Sequence, residues 1–296
     1  MAKLAVIGAG KWGSALKSAL SEKQECLITS PTKRDIKDFV SIEQALKAEF
    51  LIFALSTQDS RAWLKKHFKY QGQKILIASK GIEIKTCKFL DEIFLNFVPK
   101  KHLCVLSGPS FAAEVLEKLP TALVISGSSK ALCKEFAAFF PPYIKAYVDK
   151  DVRGAEVCGA YKNVLAIASG ISDALKLGNN ARASLIARGL VEMQRFGKAF
   201  KAKEHTFLGL SGAGDLFLTA SSTLSRNYRA GVLLAKGLRL EQIKNELNEV
   251  IEGFSTAFAI EKIARQKDIY TPIASEVVQA LRGKDVKECL KDLLKS

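Results

Sequence analysis

Three glycines in the spacing Gly8-Ala9-Gly10-Lys11-Trp12-Gly13 follow directly on the apolar run Leu4-Ala5-Val6-Ile7. An apolar run, a glycine turn and then Ser14-Ala15-Leu16 predict a buried strand leading into a helix over 12–21. Glycine reaches the positive φ that such a turn needs and lets the backbone approach a pyrophosphate closely. The first N–H groups of the new helix then face two anionic phosphates. Chance glycines in a tight βα turn give the same letters, but the strand–turn–helix setting favours a ligand.

A second group of residues suits proton transfer. Lys162 lies in Gly159-Ala160-Tyr161-Lys162-Asn163-Val164, among small and apolar residues where an ammonium is costly unless paired or functional. Partial burial would depress its pKa and fit it for acid–base work. The same letters allow a lysine that snorkels from an exposed helix face, and the segment alone does not choose. The run Gly209-Leu210-Ser211-Gly212-Ala213-Gly214-Asp215-Leu216 ends in a carboxylate that either caps the next helix or pairs with Lys162. Lys80, in Ser79-Lys80-Gly81 after a strand candidate, is placed to attract a carbonyl oxygen or a phosphate.

A third group suits an anion. Ser107-Gly108-Pro109-Ser110-Phe111-Ala112 follows another strand candidate and opens a helix near Ser110, whose first N–H groups are unpaired. Thr219 and Ser225-Arg226-Asn227 are the donors a phosphate takes. Val250-Ile251-Glu252-Gly253 sets a carboxylate before a helix. The second strand candidate runs into Thr29-Ser30-Pro31-Thr32-Lys33-Arg34. A site for NAD usually has Asp or Glu here for the ribose hydroxyls. Hydroxyls and two cations suit a 2′-phosphate instead, so NADP(H) is expected to be at least accepted; the alternative is a solvated basic loop.

These residues need elements to hold them. Short β-rich runs at 3–7, 25–29, 50–54, 74–78, 103–107, 122–126 and 144–148 alternate with helical periods at 12–21, 60–67, 88–97 and 130–139. The alternation implies crossovers and a mostly parallel sheet, with ligands at the carboxyl ends of its strands. Beyond 149 strand signals nearly vanish, and helical periods run through 151–169, 181–199, 226–235, 240–247, 255–266, 274–281 and 285–294. Glycine loops at 209–214 and 231–237 interrupt them. The expectation is a dinucleotide-binding domain over 1–149, a helical substrate and catalytic domain over 150–296, and a site between them.

Composition bounds the reading. The chain has 296 residues, 48% hydrophobic and 25% charged, as in an ordinary globular protein. No stretch approaches the roughly 18 uncharged apolar residues of a membrane span, so no membrane insertion is expected. The six cysteines form no C-x-x-C pair and, with three histidines, no metal-ligand spacing. They read as small buried hydrophobes, and the chain as cytoplasmic. The net charge of +15 is spread along the chain without a basic block. Nucleic-acid binding concentrates its charge, and a diffuse excess equally well attracts anionic small molecules.

Taken together, the motifs resemble the NAD(P)-dependent glycerol-3-phosphate dehydrogenase family of the bacterial biosynthetic type. The carriers are GAGKWG at 8–13, SKG at 79–81, SGPSFAAEV at 107–115, PTA at 120–122, GAYKNVLAIASGISDAL at 159–175, NNARASLIARGLVEM at 179–193, GLSGAGDL at 209–216, SRN at 225–227 and EG at 252–253. The resemblance implies an α/β N-terminal Rossmann-type domain with a mostly parallel sheet, plus an all-α C-terminal domain. It implies reversible reduction of dihydroxyacetone phosphate to sn-glycerol 3-phosphate, the phospholipid backbone, with NADP(H) or NAD(H) and no metal.

By the same resemblance Lys162 is the catalytic lysine, Asp215 the carboxylate that supports it, and Lys80 a lysine near both substrate and nicotinamide. Gly108, Ser110, Thr219, Ser225, Arg226 and Asn227 fall at substrate positions. Gly8, Gly10, Lys11, Trp12, Gly13, Lys33, Lys80, Ala112, Arg226, Val250 and Glu252 fall at cofactor positions. A homodimer is a further expectation. The chain departs from the family at Lys11, where a small residue is usual, and over 33–50, which is short. Rival readings are a dehydrogenase for an unphosphorylated hydroxy acid, which would not need Ser225-Arg226-Asn227, and a non-catalytic nucleotide or nucleic-acid binder, which only the net charge supports.

Overall fold

The computed structural model describes residues 3–295. The nucleotide half contains strands β1 (Leu4–Ile7), β2 (Cys26–Thr29), β3 (Phe50–Phe53), β4 (Lys74–Ile77), β5 (Ile82–Glu83), β6 (Lys88–Phe89), β7 (Leu103–Ser107), β8 (Thr121–Gly127) and β9 (Ile144–Asp149). Its helices are α1 (Lys11–Leu20), α2 (Ile42–Ala45), α3 (Thr57–His67), α4 (Leu90–Phe94), α5 (Ala112–Leu116) and α6 (Lys130–Ala138). Seven strands form one sheet in the order β2-β1-β3-β4-β7-β8-β9. Every pairing is parallel except β7 with β8.

The sheet follows from residue type. Each residue of β1, β3 and β7 is buried, as in strands covered by helices on both faces. Alternate side chains feed two cores. Leu4, Val6, Phe50 and Ile52 pack with Leu16 of α1 and Phe136 of α6. Ala5, Ile7, Leu51 and Phe53 pack with Trp63 of α3 and Phe94 of α4. From β1 the chain moves to β2 on one side and then to β3 on the other. The strand order therefore reverses at β1 and β3, and a crevice opens above their carboxyl ends.

The second half is helical throughout: α7 (Val152–Ala174), α8 (Gly178–Lys198), α9 (Glu204–Leu208), α10 (Asp215–Ala220), α11 (Arg226–Ala235), α12 (Leu240–Leu247), α13 (Glu252–Lys267), α14 (Pro272–Leu281) and α15 (Val286–Lys295). Every residue of α7 from Gly154 to Gly170 is buried, which makes it the axis of this half. The two-residue link Lys150-Asp151 separates β9 from α7. Asp151 fastens it, accepting the Gly154 N–H at 3.0 Å and the Thr206 hydroxyl at 2.6 Å.

Four of the differences from the sequence reading are informative. The helix expected over 88–97 is the shorter α4, preceded by the antiparallel hairpin β5–β6. Ile82 and Phe89 of that hairpin insert into the helical core, so the hairpin obeys a partner distant in sequence. The helix after Ser107 starts at Ala112, two residues beyond Ser110. The expected glycine loop at 209–214 is a π-helical turn over Leu210–Gly214. Gly231 is not in a loop but within α11. A β-carbon on Gly231 would lie 2.0 Å from the Ile167 carbonyl oxygen of α7, and one on Gly170 would lie 2.0 Å from that of Tyr228. The glycine marks a helix crossing, a signal that reads like a loop in one dimension.

This crossing is testable. Gly231→Ala gains helix propensity but forces α11 away from α7, and overpacking of this kind costs about 1–3 kcal/mol. The expected outcome is a lower midpoint in thermal unfolding; an equal or higher one would show that the backbones need not touch.

Candidate active site

The glycine turn sits at the switch point. Gly8 has φ +117°, and a β-carbon there would lie 2.5 Å from the Ala54 carbonyl oxygen at the end of β3. A β-carbon on Gly13 would fall 1.8 Å from the Gly8 oxygen. Gly10 differs: a β-carbon on it would meet nothing within 4 Å, so its backbone borders open space. No side chain caps α1, so its first N–H groups have no side-chain acceptor, the arrangement that suits an anion. Trp12 donates its indole N–H to the Ala78 carbonyl at 3.0 Å, tying α1 to the end of β4.

Beside this crevice three charged side chains from distant parts of the sequence meet. Lys162, on the buried axis α7, donates to Asp215 Oδ1 and to Thr219 Oγ1, the latter at 3.0 Å. Lys80, just past β4, donates to Asp215 Oδ2 at 2.7 Å and to the Gly108 carbonyl at 2.9 Å. Asp215 is only 1% exposed and Lys162 only 7%, so the snorkelling alternative is excluded. Asp215 is the first residue of α10, not its cap. Each ammonium has three donors, two of them used within the protein among the described residues.

Local structure sets this geometry. The stem of Lys80 lies along Gly159 of α7, whose missing β-carbon would be 3.2 Å from Lys80 Cγ. The π-helical turn before Asp215 is anchored by a buried hydrogen bond of 2.6 Å between Ser211 and Ser107 hydroxyls, one from each half. Thr219 donates to the Asp215 backbone carbonyl at 2.6 Å while accepting from Lys162. The Ser107–Ser211 bond was not legible in the sequence, because nothing local links residues so far apart.

Burial lowers the Lys162 pKa to about 8, with the Lys80 charge adding to that and the Asp215 charge opposing it. Burial alone would raise the Asp215 carboxyl, but Lys162 and Lys80 outweigh it and hold it below the usual carboxylate range. The cluster therefore contains an ionised carboxylate and a lysine whose pKa is lowered to about 8.

The other expected site residues divide. Gly108 has φ +102° and Ser110 donates to its carbonyl at 3.1 Å. Ala112 opens α5. Ser225 caps α11, accepting the Tyr228 N–H at 3.2 Å. The Asn227 amide bridges Asn163 Oδ1 and the Gly253 N–H, both at 3.0 Å, joining the helix of Lys162 to α13. Arg226 is the first residue of α11 and half-exposed. Glu252, at the start of α13, accepts the Thr57 N–H at 3.1 Å. Glu252 Oε2 and Thr57 Oγ1 are buried with no partner, and burial raises the Glu252 carboxyl. Val250 is exposed. Lys33 and Arg34 are exposed beyond β2, without a partner among the described residues. Thr29 is fully buried and donates to Val40 at 2.8 Å, so it is not one of the hydroxyls free for a ribose phosphate.

An open glycine bend, an uncapped helix start and orphaned polar atoms at the interdomain seam fit a dinucleotide, and a tunable lysine faces the same crevice. This combination defines a two-domain oxidoreductase that uses a nicotinamide dinucleotide. Sequence profiles narrow the class: the one for the N-terminus of NAD-dependent glycerol-3-phosphate dehydrogenase matches residues 22–133, and the one for its C-terminus matches 151–291. The chain is 68% identical over 293 residues to a Campylobacter jejuni protein named glycerol-3-phosphate dehydrogenase (NAD(P)+), covering 99% of each. It is 57% identical over 294 residues to the Sulfurimonas denitrificans protein of that name, again covering 99% of each. The crystal structure of glycerol-3-phosphate dehydrogenase from Coxiella burnetii superposes with a TM-score of 0.90 at 29% identity, covering 100% of this chain and 99% of that one. The chain belongs to the NAD-dependent glycerol-3-phosphate dehydrogenase family. Its cofactor is NAD(P).

The titration gives a pH test. With Lys162 as the proton donor, ketone reduction should fall as pH rises through about 8, while alcohol oxidation, which would use the neutral amine, should rise over the same range. Asp215→Asn removes the charge that favours the ammonium, so the reduction limb should move to lower pH. A limb that stays in place in kcat/KM profiles would separate Asp215 from the titration.

Proposed function

We propose that the interdomain crevice reduces dihydroxyacetone phosphate to sn-glycerol 3-phosphate, reversibly, and so supplies the glycerophospholipid backbone. The observation that carries this reading is the buried Lys162–Asp215–Lys80 cluster at the mouth of a dinucleotide crevice. Residues 1–149 bind the cofactor and 150–296 hold the substrate. A bound reduced nicotinamide supplies the hydride to the carbonyl carbon. Negative charge then builds on the carbonyl oxygen, where the remaining N–H of Lys162 donates a proton and Lys80 adds a second positive charge. Asp215 keeps both ammoniums in place and favours their charged forms. In the reverse direction neutral Lys162 takes the proton from the alcohol.

Gly108, Ser110, Thr219, Ser225, Arg226 and Asn227 hold the substrate, with the phosphate on the α11 start, away from the reacting carbon. Phosphate binding there supplies orientation rather than chemistry. Gly8, Gly10, Lys11, Trp12, Gly13, Ala112, Val250 and Glu252 line the cofactor crevice, and Lys33 with Arg34 lets NADP(H) be accepted. No helix among the described residues is long and apolar enough to cross a membrane. A cytoplasmic homodimer completes the reading.

Three measurements test it. NADPH oxidation should require dihydroxyacetone phosphate, and unphosphorylated dihydroxyacetone should be a poor substitute; the reverse would favour another hydroxy-acid dehydrogenase. Lys162→Ala should lower kcat by about 10²–10⁴ while cofactor affinity survives, and Arg226→Ala should mainly raise KM for the phosphorylated substrate, by about tenfold or more. Replacing Lys33 and Arg34 together by Ala should cut kcat/KM for NADPH about fivefold and leave NADH unaffected; an equal loss for both cofactors would make them a solvated loop.

A further inference from the structure

Glu249 lies in the short strap between α12 and α13, after Asn248, which is left-handed with φ +46°. Its carboxylate gathers three cations. Oε1 accepts from Lys11 at the start of α1, and Oε2 meets Arg229 Nη2 at 2.9 Å and Arg226 Nε at 3.9 Å on α11. Glu249 is 12% exposed, whereas Lys11 is 79% exposed. The carboxylate is thus held inside while the lysine reaches over from the nucleotide half. Glu249 is the one carboxylate paired with these three cations among the described residues, and with Glu252 acting on Arg226 the set still carries a surplus of positive charge. Arg229 Nε is buried and has no acceptor. The set therefore has both charge and a donor to spare, which a phosphate with a charge of about −2 and three acceptor oxygens would satisfy better than a carboxylate.

We propose that Lys11, Arg226 and Arg229 form a phosphate-oxyanion pocket whose occupant in the ligand-free chain is Glu249, so that binding exchanges one anion for another. The proposal rests on the reading of the site as one for phosphorylated ligands, in which Lys11 and Arg226 already stand, and adds Arg229 and Glu249 to it. Lys11 closes the clasp from the nucleotide half. The oxyanion comes either from the substrate or from the cofactor, and both present the same chemistry.

The test is calorimetric titration of the full-length protein with inorganic phosphate. Glu249→Gln and Glu249→Ala both remove the internal competitor and should bind phosphate about threefold to fivefold more tightly than the parent chain. Glu249→Gln combined with Arg229→Ala should lose that gain. Unchanged or weaker binding in either folded single variant, or a gain that persists without Arg229, would overturn the proposal. Separate titrations with NADP+ and with sn-glycerol 3-phosphate assign the source, since only the ligand whose phosphate enters the pocket tightens in Glu249→Gln. Phosphate binding is read without turnover, so failure of the enzymatic reading and failure of the exchange show up in different experiments.

Discussion

The constraint on which the site depends is the burial of one carboxylate between two ammoniums. Asp215 accepts from Lys162 with one oxygen and from Lys80 with the other. Removing such groups from water costs several kcal/mol per ion, and only good geometry with further hydrogen bonds offsets it. Thr219 and the Gly108 carbonyl supply those bonds. The three charges sum to one surplus positive charge in a nearly dry place. That arrangement contributes little to stability. On the proposed reading it prepares the protein for an oxygen that becomes negative as hydride arrives, with the compensation in place beforehand.

Each partner of this cluster is delivered by a different element, and close backbone contact decides how accurately they meet. Lys80 leaves the end of β4 and runs along Gly159. Lys162 lies on a helix buried on all sides. Asp215 follows a π-helical turn that a serine pair fastens to β7. Gly170 and Gly231 allow α11 to touch α7 directly, and α11 carries Ser225, Arg226 and Asn227 at its start. The amide of Asn227 then locks α7 to α13. A helix displaced by one methyl group would move Ser225, Arg226 and Asn227 relative to Lys162.

Local cues made much of this legible. The seven sheet strands were visible as short apolar runs, and the change to helix beyond Asp149 as a change of period. Lys162 stood out because an ammonium conflicts with its small and apolar neighbours, and burial shows that the conflict was real. Residues governed by distant partners were hidden. The β5–β6 hairpin follows the helical core, Gly231 follows Ile167, and Thr29 follows Val40. The hydroxyl of Thr29 looked available for a ligand because its acceptor lies on the far side of a loop. Glu249 gave no signal, since an acidic residue between two helices is ordinary until the cations around it are known.

The seam between the halves is held on the cofactor side by contacts that share one chemical character. Glu252 accepts the Thr57 N–H, and Glu249 draws Lys11 toward Arg226 and Arg229. Both carboxylates belong to the helical half and both engage helix starts of the nucleotide half, where anions are most stabilised. A phosphorylated ligand carries the same sign of charge and seeks the same donors. On the proposed exchange, a bound phosphate and Glu249 compete for Lys11, the one cation of this set that reaches across from the nucleotide half.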